Sequence, residues 1–122
     1  MVVHTPDDAR TDRLFHALAD ATRRDIVRRA MEEAHSVSTL ARHYPMSYAA
    51  VQKHVALLEE VGLVTKERRG RRRLVRTDIH RLRAASRVLD RLEAVWRSRI
   101  DRMDGLLAED TDAPTRGDDP CP

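Results

Sequence analysis

Between Ser47 and His54 the chain reads Ser-Tyr-Ala-Ala-Val-Gln-Lys-His, which sets four long polar side chains close behind a serine hydroxyl. Tyr48, Gln52, Lys53 and His54 share one side of a helix here, while Val51, Val55 and Leu58 recur at i, i+4 and i+7 on the other. One face to pack and one polar face to offer is what a helix needs to read base edges in a major groove. A second set lies just downstream. Lys66, Arg68, Arg69, Arg71, Arg72, Arg73 and Arg76 crowd around Gly70 with only Glu67 to offset them. Cations this concentrated repel one another, and a polyanion is the partner that relieves them. Arg69, Arg71 and Arg72, beside Gly70, are placed to reach a neighbouring minor groove or its phosphates.

These groups need elements to hold them. Ser47 is an N-cap, and Gly62, just after Val61, supplies the left-handed residue that ends a helix. Upstream, a short helix capped by Ser38 carries Leu40 and Ala41. The connection Tyr44-Pro45-Met46 is too short and too proline-restricted to stay helical, so the two helices form a helix-turn-helix. Leu63-Val64 and Leu74-Val75 flank the basic glycine turn as two strand ends of a β-hairpin wing.

The remaining chain supports that unit. Residues 1–10 are polar and expected to be disordered. A helix starts at Asp12 and carries Leu14, Phe15 and Leu18. Thr22 with Asp25 resembles a capping box for a second helix, whose stripe is Ile26, Val27, Ala30 and Met31 and which ends near Ala34-His35. Val37 is placed to add a short strand beside the wing. Asp78 caps the last helix, where Leu82, Ala85, Leu89, Leu92, Trp96, Ile100, Met103 and Leu107 recur at three- and four-residue spacings. Nearly thirty residues of helix extend ~43 Å, more than so small a domain can cover, and a second copy of the same helix is the simplest partner. The acidic, proline-bearing residues 109–122 read as a disordered tail, leaving one domain over 11–108.

Composition narrows the setting. A formal charge of +3 is mild, so the distribution of charge matters more than its total. The single cysteine, Cys121, excludes an internal disulfide and a multi-cysteine metal cluster. No apolar run approaches the ~20 residues of a membrane span, and the first residues lack a signal peptide's apolar core. The expected location is the cytoplasm.

The segments FHALADATRRDIVRRA, SVSTLARHYPMSYAAVQKHVALLEEVGLV and RRGRRRLVRTD together resemble the ArsR-type winged helix-turn-helix repressors of bacteria, most closely the branch without metal-binding cysteines. The resemblance covers roughly residues 11–108. It implies a mainly α fold with a small β-hairpin: about five helices, a wing, and a long C-terminal dimerisation helix. It further implies a homodimer that binds double-stranded DNA at an inverted repeat and represses by occluding a promoter, often its own. DNA contacts would fall on Ser47, Tyr48, Gln52, Lys53 and His54; the last of these has a phosphate and a neighbouring helix as alternative partners. The dimer interface would draw on Leu14, Phe15, Leu89, Leu92, Trp96, Ile100 and Met103. Relatives usually carry serine and leucine where this chain has Gln52 and Val55, which points to a sequence preference of its own.

The same residues speak to rival readings. The family's metal sensors place cysteines in the first helix of the helix-turn-helix, and residues 36–44 contain none. Asp78-Ile79-His80 opens like their other motif, but its remaining partners fall on Arg91 and Ala94, which cannot ligate. No metal, cofactor or catalytic residue is therefore expected. No glycine-rich phosphate loop, nucleophile motif or paired-carboxylate signature points to an enzyme. A dimeric protein-interaction module and a metal- or ligand-gated variant of the regulator remain as alternatives. For the latter, an apolar pocket near Phe15 and Trp96 is a candidate, with no effector identified.

Overall fold

The computed structural model describes residues 5–111, with side chains through Leu106. Five helices and one hairpin follow in the order α1 (Pro6–Leu18), α2 (Ala21–Glu32), α3 (Val37–Ala41), α4 (Tyr48–Glu60), β1 (Val64–Arg69), β2 (Arg72–Thr77) and α5 (Ile79–Thr111). This is the mainly helical winged architecture the sequence implied. The chain divides into two compact units, one through Ser86 and the other from Arg87.

Within the first unit, local signals fix most boundaries, several of them earlier than expected. The hydroxyl of Thr5 accepts from the Asp8 N–H (3.1 Å) while the Asp8 carboxylate accepts from the Thr5 N–H (3.0 Å), a closed capping box with Pro6 at the first helical position. α1 thus starts at Pro6 instead of Asp12, and residues 6–10 are helical. Asp20, not Thr22, caps α2 by accepting from the Arg23 N–H (3.0 Å). Ser36, not Ser38, caps α3, its hydroxyl accepting from the Thr39 N–H (3.2 Å). Val37 is consequently the first helical residue, and the strand-like contact with the wing passes to His35, which exchanges both backbone bonds with Val75 (3.1 and 2.6 Å).

α4 ends in a Schellman arrangement: Gly62 (φ +84°) donates to the Glu59 carbonyl and Leu63 donates to that of Leu58. The positive φ calls for glycine at 62, where a Cβ would also lie 3.0 Å from Nε of Arg81 and oblige that flexible side chain to shift. β1 and β2 pair antiparallel from Val64↔Thr77 to Arg69↔Arg72, leaving Gly70 (φ +62°) and Arg71 as the turn. The hairpin is tied back to the helices where the Thr77 hydroxyl donates to the Val27 carbonyl (2.7 Å).

One apolar core unites the unit. Ile26, Leu40, Val51, Val55, Leu58, Leu63, Val64 and Val75 are fully buried, each side chain contributing roughly 1.5–3 kcal/mol of burial. Leu14 belongs to this core at 2 % exposure, so it is unavailable to the dimer contact expected of it. The reason is helical phase: Leu14 and Ala17 sit one turn apart on the face of α1 that meets the core. Phe15, one position on, is half-buried.

The second unit is the continuation of α5. Leu89, Leu92, Val95, Trp96, Ile100, Met103 and Leu106 are exposed along it. Leu107 and the acidic tail with Cys121 lie outside the residues whose side chains are described. Among the described residues, no helix is long and apolar enough to cross a membrane.

Candidate nucleic-acid interface

α4 owes its orientation to its buried stripe. Val51, Val55 and Leu58 are wholly buried, which turns Tyr48, Gln52 and Lys53 outward. Ser47 acts as the N-cap, its hydroxyl accepting from the Ala50 N–H (3.1 Å). Tyr48 and Gln52 do not stand alone. They share a cleft of about 280 Å³ with Ser36, Val37 and Ser38 at the start of α3 and with Lys66 and Arg73 of the hairpin. Hydroxyl, amide and cationic groups from three elements thus converge on one surface.

The hairpin's pleat divides the arginine run in a way its one-dimensional order conceals. Residues on one strand alternate between faces, and cross-strand pairs share a face. The pairs Lys66↔Val75 and Arg68↔Arg73 therefore lie on the face carrying the buried Val75, whereas Arg69↔Arg72 and Thr65↔Arg76 lie on the opposite one. Of the expected wing contacts, Arg71 sits in the turn and Arg69 and Arg72 on the far face. Lys66 and Arg73 are the cations that join the cleft of Gln52. Strand parity counted from Val75 is the signal that singles them out.

Ion pairs thin the charge further. Lys66 Nζ lies 3.6 Å from Glu59 on α4, a strut between recognition helix and wing. Glu67 is shared by Arg69 (3.5 Å) and Arg76 (3.8 Å). Exposed pairs of this kind are worth well under ~1 kcal/mol and yield readily to a phosphate. Among the described residues, Arg71, Arg72 and Arg73 are exposed and make no ion pair.

His54 departs from the expectation of a DNA contact. Its ring is half-buried against α2, with Nδ1 3.2 Å from Nη1 of Arg23 and 3.9 Å from the Asp20 carboxylate. A guanidinium only donates, so Nδ1 accepts in this contact and the ring proton of the neutral form sits on Nε2. The same Arg23 donates to the carbonyls of Ala17 (2.7 Å) and His16 (3.2 Å), clamping the end of α1 to the middle of α4. His54 positions the recognition helix from behind. Of the alternatives the sequence left open for His54, the neighbouring helix is the one the structure takes, with a partner 31 positions away in sequence.

A second network holds the turn of the helix-turn-helix. The Tyr44 hydroxyl donates to the Asp25 carboxylate (2.6 Å), which also accepts from Arg29 Nε (2.7 Å) and Arg28 Nη2 (2.8 Å). The Tyr44 hydrogen bond, with those of the two arginines, holds the Asp25 carboxyl far below the usual range. Burial, followed by the carboxylate beside it, pushes the Tyr44 phenol up to about 12, so it remains a donor at neutral pH.

A carboxylate whose pKa is depressed on folding stabilises the fold above its unfolded value of ~3.9, and that contribution is lost as pH falls toward the folded value. Asp25→Asn is accordingly expected to lower the urea midpoint at pH 7. The gap to the parent should narrow steadily below about pH 4. A gap of constant size down to about pH 2 would remove the charge from this account.

Asp78 accepts from the His80 N–H (2.9 Å) and so serves as a helix cap. Among the described residues, no three His, Cys, Asp or Glu side chains are grouped so as to hold a metal ion.

Known proteins share the fold. Residues 18–67 match a family model described as a helix-turn-helix domain. The HTH-type transcriptional regulator Rv2034 of Mycobacterium tuberculosis is 41 % identical over 80 residues, covering 66 % of this chain and 75 % of that protein. An ArsR-like transcriptional regulator from Rhodococcus superposes with a TM-score of 0.72 at 30 % identity, over 84 % of this chain and 96 % of its own. The homodimeric winged helix-turn-helix DNA-binding domain of a Mycobacterium bovis protein has the same fold, with a TM-score of 0.53 at 23 % identity over 83 % and 91 %.

Proposed function

For this chain, which belongs to the ArsR-type winged helix-turn-helix transcriptional regulators, we propose a homodimeric repressor that occupies an inverted-repeat operator without needing a metal. The observation that carries the reading is the shared cleft of Tyr48, Gln52, Lys66 and Arg73, where readout groups of α4 and cations of the wing face one surface. Two recognition helices, one per protomer, would enter successive major grooves about one helical turn apart. The exposed apolar residues Leu89, Leu92, Trp96, Ile100 and Met103 of α5 supply the surface for pairing with a second copy, helped by Phe15. The homodimeric state of the M. bovis domain supports that pairing.

Roles divide by chemistry. Arginine–phosphate attraction supplies affinity for any duplex, and side chains on α4 supply register and choice. Ser47 adds a hydroxyl beside the backbone as well as the cap. Lys53 extends the cationic surface, and Gln52 has the paired donor and acceptor that match adenine, a contact worth ~1–3 kcal/mol of discrimination. Gln52→Ala is expected to reduce the preference for operator over random DNA by about tenfold or more while leaving the salt slope unchanged. Arg71→Ala should weaken both duplexes alike and lower the slope by about two, one phosphate contact being lost from each protomer. Equal effects of the two substitutions on both duplexes would dissolve this division.

The direct test is an electrophoretic shift on the fragment upstream of this protein's own gene, beside random DNA, at two salt concentrations and with a chelator. Saturable, chelator-insensitive binding to that fragment alone is the expected result. Binding no tighter than to random DNA would reject autoregulation, and loss of binding with chelator would reject metal independence.

A further inference from the structure

On the far side of the wing from the cleft, Glu32, Glu33, Ala34 and Arg76 line two adjoining recesses of about 640 and 280 Å³. The larger runs on past Arg69, Arg72 and Leu74, all on the hairpin face opposite Lys66 and Arg73. The smaller is closed by Ala30, Met31, Thr77 and Ile79. The trough so formed is separate from the cleft of Tyr48 and Gln52, shares only Arg69 and Arg72 with the wing residues expected at DNA, and has the size of a small-molecule site.

Its charges do not cancel among themselves. Glu32 is held by Arg28 at 3.2 Å, and Glu67, on the same hairpin face, lies loosely against Arg69 and Arg76. Glu33 and Arg72 are left as one anion and one cation, on the α2 side and the wing side, with no ion pair among the described residues. The other end is apolar, and Met31 and Ile79 are exposed there at 48 % and 39 %. These are large apolar side chains in the first unit that neither the core nor the α5 stripe accounts for. A simple anion would meet Glu33, and a simple cation would meet Arg72 and Arg76.

We propose that the trough binds a small zwitterion with an apolar tail, the chemical class of the hydrophobic α-amino acids. The carboxylate would lie on Arg72 and Arg76, the ammonium on Glu33, and the side chain against Met31 and Ile79. Charge-assisted hydrogen bonds to a guanidinium suit a carboxylate in particular. Such an occupant would add a link between β2 and the end of α2, beside the Thr77–Val27 hydrogen bond and the His35–Val75 backbone pair just past α2.

Calorimetric titration of the full chain with L-leucine tests this without DNA, so its outcome is independent of the operator reading. Saturable binding of one molecule per chain is expected. Glycine (no tail), isocaproate (no amine) and leucine amide (no carboxylate) should each bind about tenfold or more weakly. Arg72→Ala and Glu33→Gln, both at exposed positions, should weaken L-leucine by about tenfold with the melting temperature unchanged. Absence of saturable heat with both L-leucine and L-phenylalanine would overturn the proposal. So would isocaproate binding as tightly as L-leucine, or variants that bind like the parent.

Discussion

Replacing Arg71, Arg72 and Arg73 together by alanine is expected to lower affinity for every duplex by about a thousandfold or more near 0.1 M salt. Each phosphate contact contributes a salt slope of ~0.9, which at that concentration is close to tenfold in binding. Three cations per protomer are exposed and make no ion pair among the described residues, so none has to leave an internal partner to meet DNA. The melting temperature should hold or rise slightly, since three like charges are removed from one hairpin tip. Fluorescence anisotropy across a salt series with operator and random duplexes measures both quantities. Random-duplex binding that survives the triple substitution would place the affinity elsewhere in the molecule.

Leu40→Ala is expected to act through the fold instead. α3 has only the five residues Val37–Ala41, and Leu40 is the one of them that is fully buried. A short helix has little stability of its own, so the packing of this side chain against α4 sets where α3 sits. Truncation should cost ~2–5 kcal/mol, enough to lower the melting temperature by about 10 °C or more and a large share of a typical domain's stability. DNA binding should fall with the folded fraction and recover on cooling. A variant with parental melting but lost DNA binding would mean that α3 reorients without unfolding, contrary to the jigsaw packing assumed here.

The contrast between these variants follows how far each part was legible in the chain. α4 could be read closely: serine cap, stripe of Val51, Val55 and Leu58, glycine stop. Each is a short-range signal whose physics is complete within a turn or two. The start of α1 was equally local, since Thr5-Pro6-Asp7-Asp8 holds a capping box and an N-terminal proline. Ser36 and Ser38 are a harder pair. Both can cap, and the choice goes to Ser36, which directly follows His35 where the chain is paired with Val75. For His54 the sequence left DNA, a phosphate and a neighbouring helix open for the same reason, since Arg23 and Asp20, which decide it, come from another part of the chain. The arginines were visible as a group, yet which of them face α4 depends on strand parity, and parity is known only once one buried residue anchors the register.

The outward face of α4 carries one more consequence. Gln52 and Lys53 are exposed, and among the described residues neither side chain makes a hydrogen bond or ion pair within the chain. Their neighbours Val51 and Val55 are locked into the core. Stability and recognition therefore draw on alternate residues of one helix, and a change in the readout residues carries almost no folding penalty. Under the proposed reading, operator choice can therefore change at positions 52 and 53 without disturbing the buried positions that hold the fold.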